Sequence, residues 1–106
     1  MNKSIVEIAK QYYEGWEISN RELLHLSPSL KFRSPHDSFT SAQDFLDKCW
    51  QYSGAKFQNK IFLSGGSNVC VKYDFPMPGG GSKTMVEWLT IKGGEITKIE
   101  VFYEKE

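Results

Sequence analysis

Thr84-Met85-Val86-Glu87-Trp88-Leu89-Thr90-Ile91, then Lys92-Gly93-Gly94-Glu95, then Ile96-Thr97-Lys98-Ile99-Glu100-Val101-Phe102-Tyr103, is the stretch on which the fold turns. Side chains on a strand point alternately to opposite faces. Met85, Glu87, Leu89 and Ile91 therefore share one face, and Thr84, Val86, Trp88 and Thr90 share the other. Lys92 to Glu95 reads as a tight turn, with Gly93 and Gly94 free to take positive φ, so the two runs form an antiparallel hairpin. Ile99, Val101 and Tyr103 repeat the alternation on the closing strand.

Working backward, period 2 persists to Phe57. Val69, Val71, Tyr73 and Phe75 alternate with Cys70, Lys72 and Asp74, and Gly65-Gly66-Ser67-Asn68 joins that strand to one over Phe57 to Ser64. Pro76-Met77-Pro78-Gly79-Gly80-Gly81 suits neither helix nor sheet interior. It reads either as a mobile lip or as a loose hairpin tip. Before Phe57 the period is that of a helix. Ser41 with Asp44 makes an N-terminal cap, and Ala42, Phe45, Leu46, Cys49 and Trp50 come after it at helical spacing, up to Gly54. Ser4 with Glu7 caps a first helix, whose apolar stripe is Ile5, Ile8, Ala9, Tyr12, Tyr13 and Trp16. Between these two the sequence predicts a short helix over 20–27, capped by Ser19 or Asn20 and stopped by Pro28. A strand over 30–35 comes next, then a loop at His36-Asp37-Ser38-Phe39. Helices ahead of an antiparallel sheet make an α+β class: three N-terminal helices wrapped by a strongly curved sheet of four meander strands and the short early one.

The bulk properties bound the function. A chain of 106 residues suits one domain, 1–106. Thirteen basic and 13 acidic residues cancel, which argues against a nucleic-acid or anionic-membrane binder. Cys49 and Cys70 have no metal-ligand spacing, and with two His in the chain no metal or cofactor is expected. Both cysteines read as small buried residues of a reducing compartment. The charged N-terminus has no signal-peptide core, so the cytoplasm is the expected location.

An acid among apolar neighbours on one strand face is unusual, which singles out Glu87. Two readings stand. If that face lines a cavity, desolvation raises the carboxyl pKa and makes it a hydrogen-bond donor. Otherwise Val86 and Trp88 face the core, and Glu87 is solvated or paired with a lysine. Tyr12 on the apolar helix stripe is a second candidate donor, with Tyr13 as its alternative in register. His36 and Asp37 could form a base beside a cleft, but such a pair more often builds a turn. By parity, Tyr73, Met85, Leu89, Ile99 and Val101 can wall a cavity, joined by Trp16, Phe32, Ser34 and Trp50. The same residues could simply form the core. His25 reads as structural, and Arg33 as outward-facing.

This order of elements resembles the nuclear transport factor 2-like superfamily and its SnoaL-like members. The resemblance rests on Gly15-Trp16-Glu17-Ile18-Ser19-Asn20, Glu22-Leu23-Leu24, Leu30-Lys31-Phe32-Arg33-Ser34-Pro35, Phe39-Thr40-Ser41-Ala42-Gln43-Asp44-Phe45-Leu46 and the two closing strands, Thr84 to Ile91 and Glu95 to Glu104. It covers essentially the whole chain, and is specific for fold and weak for activity. It implies a cone-shaped domain with a cavity at one end. It also puts Glu87 at the donor-acid position of the ketosteroid isomerases and Tyr12 at their helix tyrosine. Where those enzymes keep an aspartate base, this chain has Ser34 before Pro35. A serine hydroxyl without an adjacent base cannot take a proton from carbon. The resemblance therefore implies a small, largely apolar ligand and an isomerase, cyclase or dehydratase-type activity without the usual base. It equally allows a non-catalytic homodimer associating through the outer sheet face, for which Trp88, Val86, Phe62 and Phe102 have the right parity.

Overall fold

The computed structural model describes residues 4–103. Glu104, the last residue of the closing strand as read from sequence, lies outside the described residues. Helix α1 runs Ile5–Glu17, with Ser4 accepting a hydrogen bond from the Glu7 amide at 3.1 Å. Helix α2 runs Ala42–Cys49, capped in the same way by Ser41 on the Asp44 amide at 3.1 Å. The strands are β1 (Leu26–Arg33), β2 (Ser38–Phe39), β3 (Gln58–Gly65), β4 (Asn68–Pro76), β5 (Ser82–Lys92) and β6 (Glu95–Phe102). They form one curved, open sheet in the order β2-β1-β6-β5-β4-β3, with α1 and α2 on its concave side. The α+β class holds. Among the described residues no helix is long and apolar enough to cross a membrane.

Three local expectations need correction. The helix over 20–27 is only a single 3-10 turn at Arg21–Leu23, capped by the Asn20 side chain on the Glu22 amide. His25 takes a left-handed φ of 52° and redirects the chain into β1, and the Ile96 amide donates to its carbonyl at 2.7 Å. A few leucines in so short a run do not distinguish helix from strand, and here pairing with β6 wins. Pro28 does not end a helix. It lies within β1, in the span where the pairing with β6 is irregular between Leu26 and Lys31. A residue without an N–H is tolerated at such a break in the ladder. Ser38–Phe39 is not loop but a two-residue strand antiparallel to β1.

The sheet is also mixed. β3 to β6 make the expected antiparallel meander, while β1 runs parallel to β6, with Phe32 opposite Ile99 and Arg33 opposite Glu100. Arg33 points outward and pairs with Glu100 at 3.2 Å.

The concave face carries the core. Val69, Val71, Leu89, Ile96 and Ile99 are fully enclosed beneath Ile8, Ala9 and Tyr13 of α1. On the convex face Trp88 is 44% and Leu63 68% exposed, with Ile61 and Phe102 beside them. Phe62 belongs to the other side: its ring lies 5.9 Å from that of Tyr13. Asn59 takes a φ of 56°, and the β3–β4 register slips between Gln58 and Ile61. An extra residue there reverses the parity of the rest of the strand, so both Phe57 and Phe62 point inward and Ile61 and Leu63 outward.

Candidate functional site

The alternation of β5 aims Glu87 at the concave face between Met85 and Leu89, opposite Val71 on β4 and Val101 on β6. The residue is 7% exposed. Tyr13 of α1 donates its hydroxyl proton to Oε1 at 3.0 Å, and the Tyr73 hydroxyl donates to Oε2. Tyr73 stands opposite Met85, one row away from Glu87, a diagonal that a long aromatic side chain spans. Among the described residues no lysine or arginine forms an ion pair with Glu87.

Burial raises the Glu87 pKa above its ordinary value of 4.5, and the two tyrosine hydrogen bonds oppose that rise. Burial, and after it the proximity of Glu87, raises the pKa of Tyr12, Tyr13 and Tyr73, so these phenols stay protonated as donors. A carboxyl without a cation, held by neutral donors in an apolar surround, is an acid biased toward its neutral form. Such a group can donate to a carbonyl or hydroxyl oxygen.

The two neighbouring tyrosines of α1 divide the work. Tyr13 reaches Glu87. Tyr12, 3% exposed, lies against Trp16 with ring centroids 6.3 Å apart, and its ring meets that of Tyr13 edge-on at 5.0 Å. Among the described residues no hydrogen bond joins Tyr12 to Glu87. Sequence periodicity puts both on the apolar stripe, but only the rotation of α1 against β4 and β5 decides which hydroxyl points at the acid.

The other candidate residues take varied places. Leu89 and Ile99 are fully buried opposite one another, and Val101 lies beside Glu87. Met85 is half-buried. Trp16 packs against Phe45 at 5.8 Å and Trp50 at 4.9 Å, and Phe32 stacks on Phe45 at 4.5 Å. The Ser34 hydroxyl is tied into a turn, accepting from the Asp37 amide at 3.1 Å and the His36 amide at 3.4 Å. His36 and Asp37 do not meet as an acid–base pair. The His36 ring lies 5.6 Å from Tyr103, and the Asp37 carboxylate lies 3.9 Å from Lys48.

Three residues hold places that sequence reasoning does not assign to them. Tyr73, expected as lining, proves to be a direct partner of Glu87. Cys49 sits near enough that Asp37 and Glu87 add to the effect of burial, pushing its thiol up to about 11. It is therefore a protonated, unreactive neighbour. Lys83 shares the parity of Met85 and Glu87, a signal legible in the sequence, and lies 4.4 Å from the ring of Tyr103.

No family profile matches the chain, and no curated protein matches it. Solved structures do. A nuclear transport factor 2-like protein of unknown function from Cytophaga hutchinsonii superimposes with a TM-score of 0.86 at 16% identity, over 98% of this chain and 93% of its own. A candidate polyketide cyclase from Pseudomonas putida gives a TM-score of 0.84 at 11% identity, over 97% of this chain and 93% of its own. TerC, co-crystallised with polyporic acid, gives 0.77 at 14% identity, over 94% and 91%. At these identities the likeness speaks for architecture alone: the chain has the nuclear transport factor 2-like fold.

Proposed function

We propose that this protein binds a small, largely apolar molecule between α1 and the concave face of the sheet, with Glu87 and Tyr12 as the polar groups that recognise it. One observation carries this reading. Among the described residues no cation pairs with the buried Glu87, which lies among tyrosine hydroxyls, where a purely structural core gains more from an apolar residue of the same size. The chemistry available is donation to a carbonyl or hydroxyl oxygen, which polarises it for isomerisation, cyclisation or dehydration. Ser34 supplies no base for abstraction of a proton from carbon, since its hydroxyl is engaged in its turn. Among chains of this fold, TerC is co-crystallised with polyporic acid, a small molecule.

The test is titration with 1-tetralone and 2-naphthol, monitored by Trp fluorescence and by NMR of 13C-labelled Glu and Tyr. Saturable binding that shifts Glu87 and Tyr12 and weakens in Tyr12→Phe is expected. Absence of binding by both probes at millimolar concentration, or a Glu87 pKa at or below 4.5, overturns the reading.

A second reading, association of two copies through the convex face, is favoured by two adjacent cross-strand rows, Leu63, Cys70 and Trp88 in one and Ile61, Val86 and Phe102 in the other, the second interrupted by Lys72. The packing of Trp16, Phe45 and Trp50 against one another also suits a domain built for stability. Sedimentation should show a dimer at micromolar concentration that dissociates in Leu63→Lys/Trp88→Glu. A monomer at high micromolar concentration removes this reading.

A further inference from the structure

We propose a second binding site, separate from the surroundings of Glu87. It is the cleft between the 3-10 turn, the start of β1 and α2, and it takes a small carboxylic acid. The apolar body of that acid, one or two rings, lies on Leu24, Leu26 and Leu46, while Arg21 holds its carboxylate. The cleft measures about 320 Å³, at the lower end of the roughly 300–1,000 Å³ usual for small-molecule sites. Its lining comes from three parts of the chain: Leu24, 1% exposed, follows the turn, Leu26 and Pro28 belong to β1, and Ala42 and Leu46 to α2. β1 is free to draw away here, because its pairing with β6 is irregular between Leu26 and Lys31 and Pro28 has no N–H to give to a ladder. None of Tyr12, Tyr13, Tyr73 and Glu87 lines this cleft.

The charge at its edge selects the ligand. The chain has two arginines. Arg33 is neutralised by Glu100 at 3.2 Å. Arg21 instead lies over the ring of Trp50, 4.8 Å from its centroid, and among the described residues it joins no ion pair. A guanidinium stacked on an indole keeps its in-plane N–H groups, and their fork matches the two oxygens of a carboxylate. The stack also steadies that fork, since Trp50 is itself packed on Trp16 at 4.9 Å. On α2, the Gln43 carboxamide donates to Asp47 at 2.7 Å, so that side of the cleft carries a negative charge. An anionic group is repelled there and drawn to Arg21. An acid therefore satisfies both the leucines and the cation, where a neutral molecule of the same shape satisfies the leucines alone.

Titration of the full chain with 1-naphthoate and its uncharged analogue 1-naphthamide tests this, followed by NMR of the Leu24, Leu26 and Leu46 methyls and of the Glu87 carboxyl. Naphthoate should shift the three leucines and leave Glu87 unmoved. At low salt it should bind about fivefold tighter than the amide, and the preference should shrink as salt is raised. Arg21→Gln, a change at an exposed residue, should abolish the preference and keep amide affinity. Ala42→Leu, which fills the cleft, should weaken both probes. Equal binding of the two probes, a preference that survives Arg21→Gln, affinities untouched by Ala42→Leu, or no leucine shift at millimolar concentration overturns the inference. A shift at Glu87 in place of the leucines overturns it as well, and counts in favour of a ligand on the concave face.

Discussion

Tyr13 and Glu87 are 74 positions apart in the chain, yet the hydroxyl of one donates to the carboxyl of the other at 3.0 Å, in the buried interior. This bond ties α1 to the middle of the sheet. With the bond from Tyr73 it accounts for both oxygens of the one buried acid among the described residues.

The first consequence concerns pH. The native pKa of Glu87 is raised by burial above its ordinary value of 4.5. The native state thus holds its proton where the unfolded chain has released it. Stability from this group is fully present below about pH 4.5 and is lost as pH rises through the raised native value. Each tenfold in proton affinity is worth about 1.4 kcal/mol. Glu87→Gln removes the titration. Melting of both proteins from pH 4 to pH 8 (roughly the window in which a raised carboxyl titrates) should show the variant gaining on the wild type as pH rises. A constant difference across the series would count against the raised pKa.

Removing either tyrosine hydroxyl should move Glu87 in a known direction. Both hydrogen bonds lower its pKa against the effect of burial, so Tyr13→Phe and Tyr73→Phe should each raise it further. Each also leaves a buried carboxyl oxygen short of a donor, costing about 1–3 kcal/mol. Urea unfolding gives the cost, and the 13C shift of the Glu87 carboxyl gives the pKa. A double-mutant cycle of Tyr13→Phe with Glu87→Gln should show coupling, because the two groups share one bond.

Gly15→Ala should destabilise the protein by about 1–3 kcal/mol. Alanine in a helix interior is ordinarily better than glycine by about 0.5–1 kcal/mol. Here an added Cβ would meet the Asn20 carbonyl oxygen at 2.7 Å and Leu24 Cδ2 at 2.9 Å. The backbone oxygen cannot give way, because the turn from α1 toward β1 is held by the Asn20 amide on the Gly15 carbonyl at 2.8 Å. Crowding therefore outweighs propensity, and a rise in melting temperature would refute this account.

Ser41→Ala should cost about 1 kcal/mol, the usual worth of an N-cap. Helix α2 is only eight residues long and buries Phe45, so loss of its cap is felt in the core. Ser41→Asp, which keeps an acceptor at the helix N-terminus, should restore most of the melting temperature.

Both α-helices and the four meander strands are legible in the sequence because their signals are local. Cap residues sit beside the helices they start, apolar spacing keeps the period, and Gly-Gly turns separate alternating runs. The same alternation places Glu87 on the face of Met85 and Leu89. The 20–27 segment misleads because its outcome depends on β6, some seventy residues further along the chain. The face of Phe62 misleads because a register slip at Asn59 leaves no mark in composition.

By itself, then, the sequence determined the α+β class, the helix caps, the hairpins and the unusual acid on an apolar strand face, all properties of neighbours within a few residues. Only the tertiary structure decided that β1 runs parallel to β6, that Tyr13 rather than Tyr12 binds Glu87, and that Ser34 serves a turn. These depend on register and on the rotation of α1 over the sheet. Both are fixed by packing between segments far apart in the chain, where a shift of one residue exchanges the side chain that faces the site for the one that faces away.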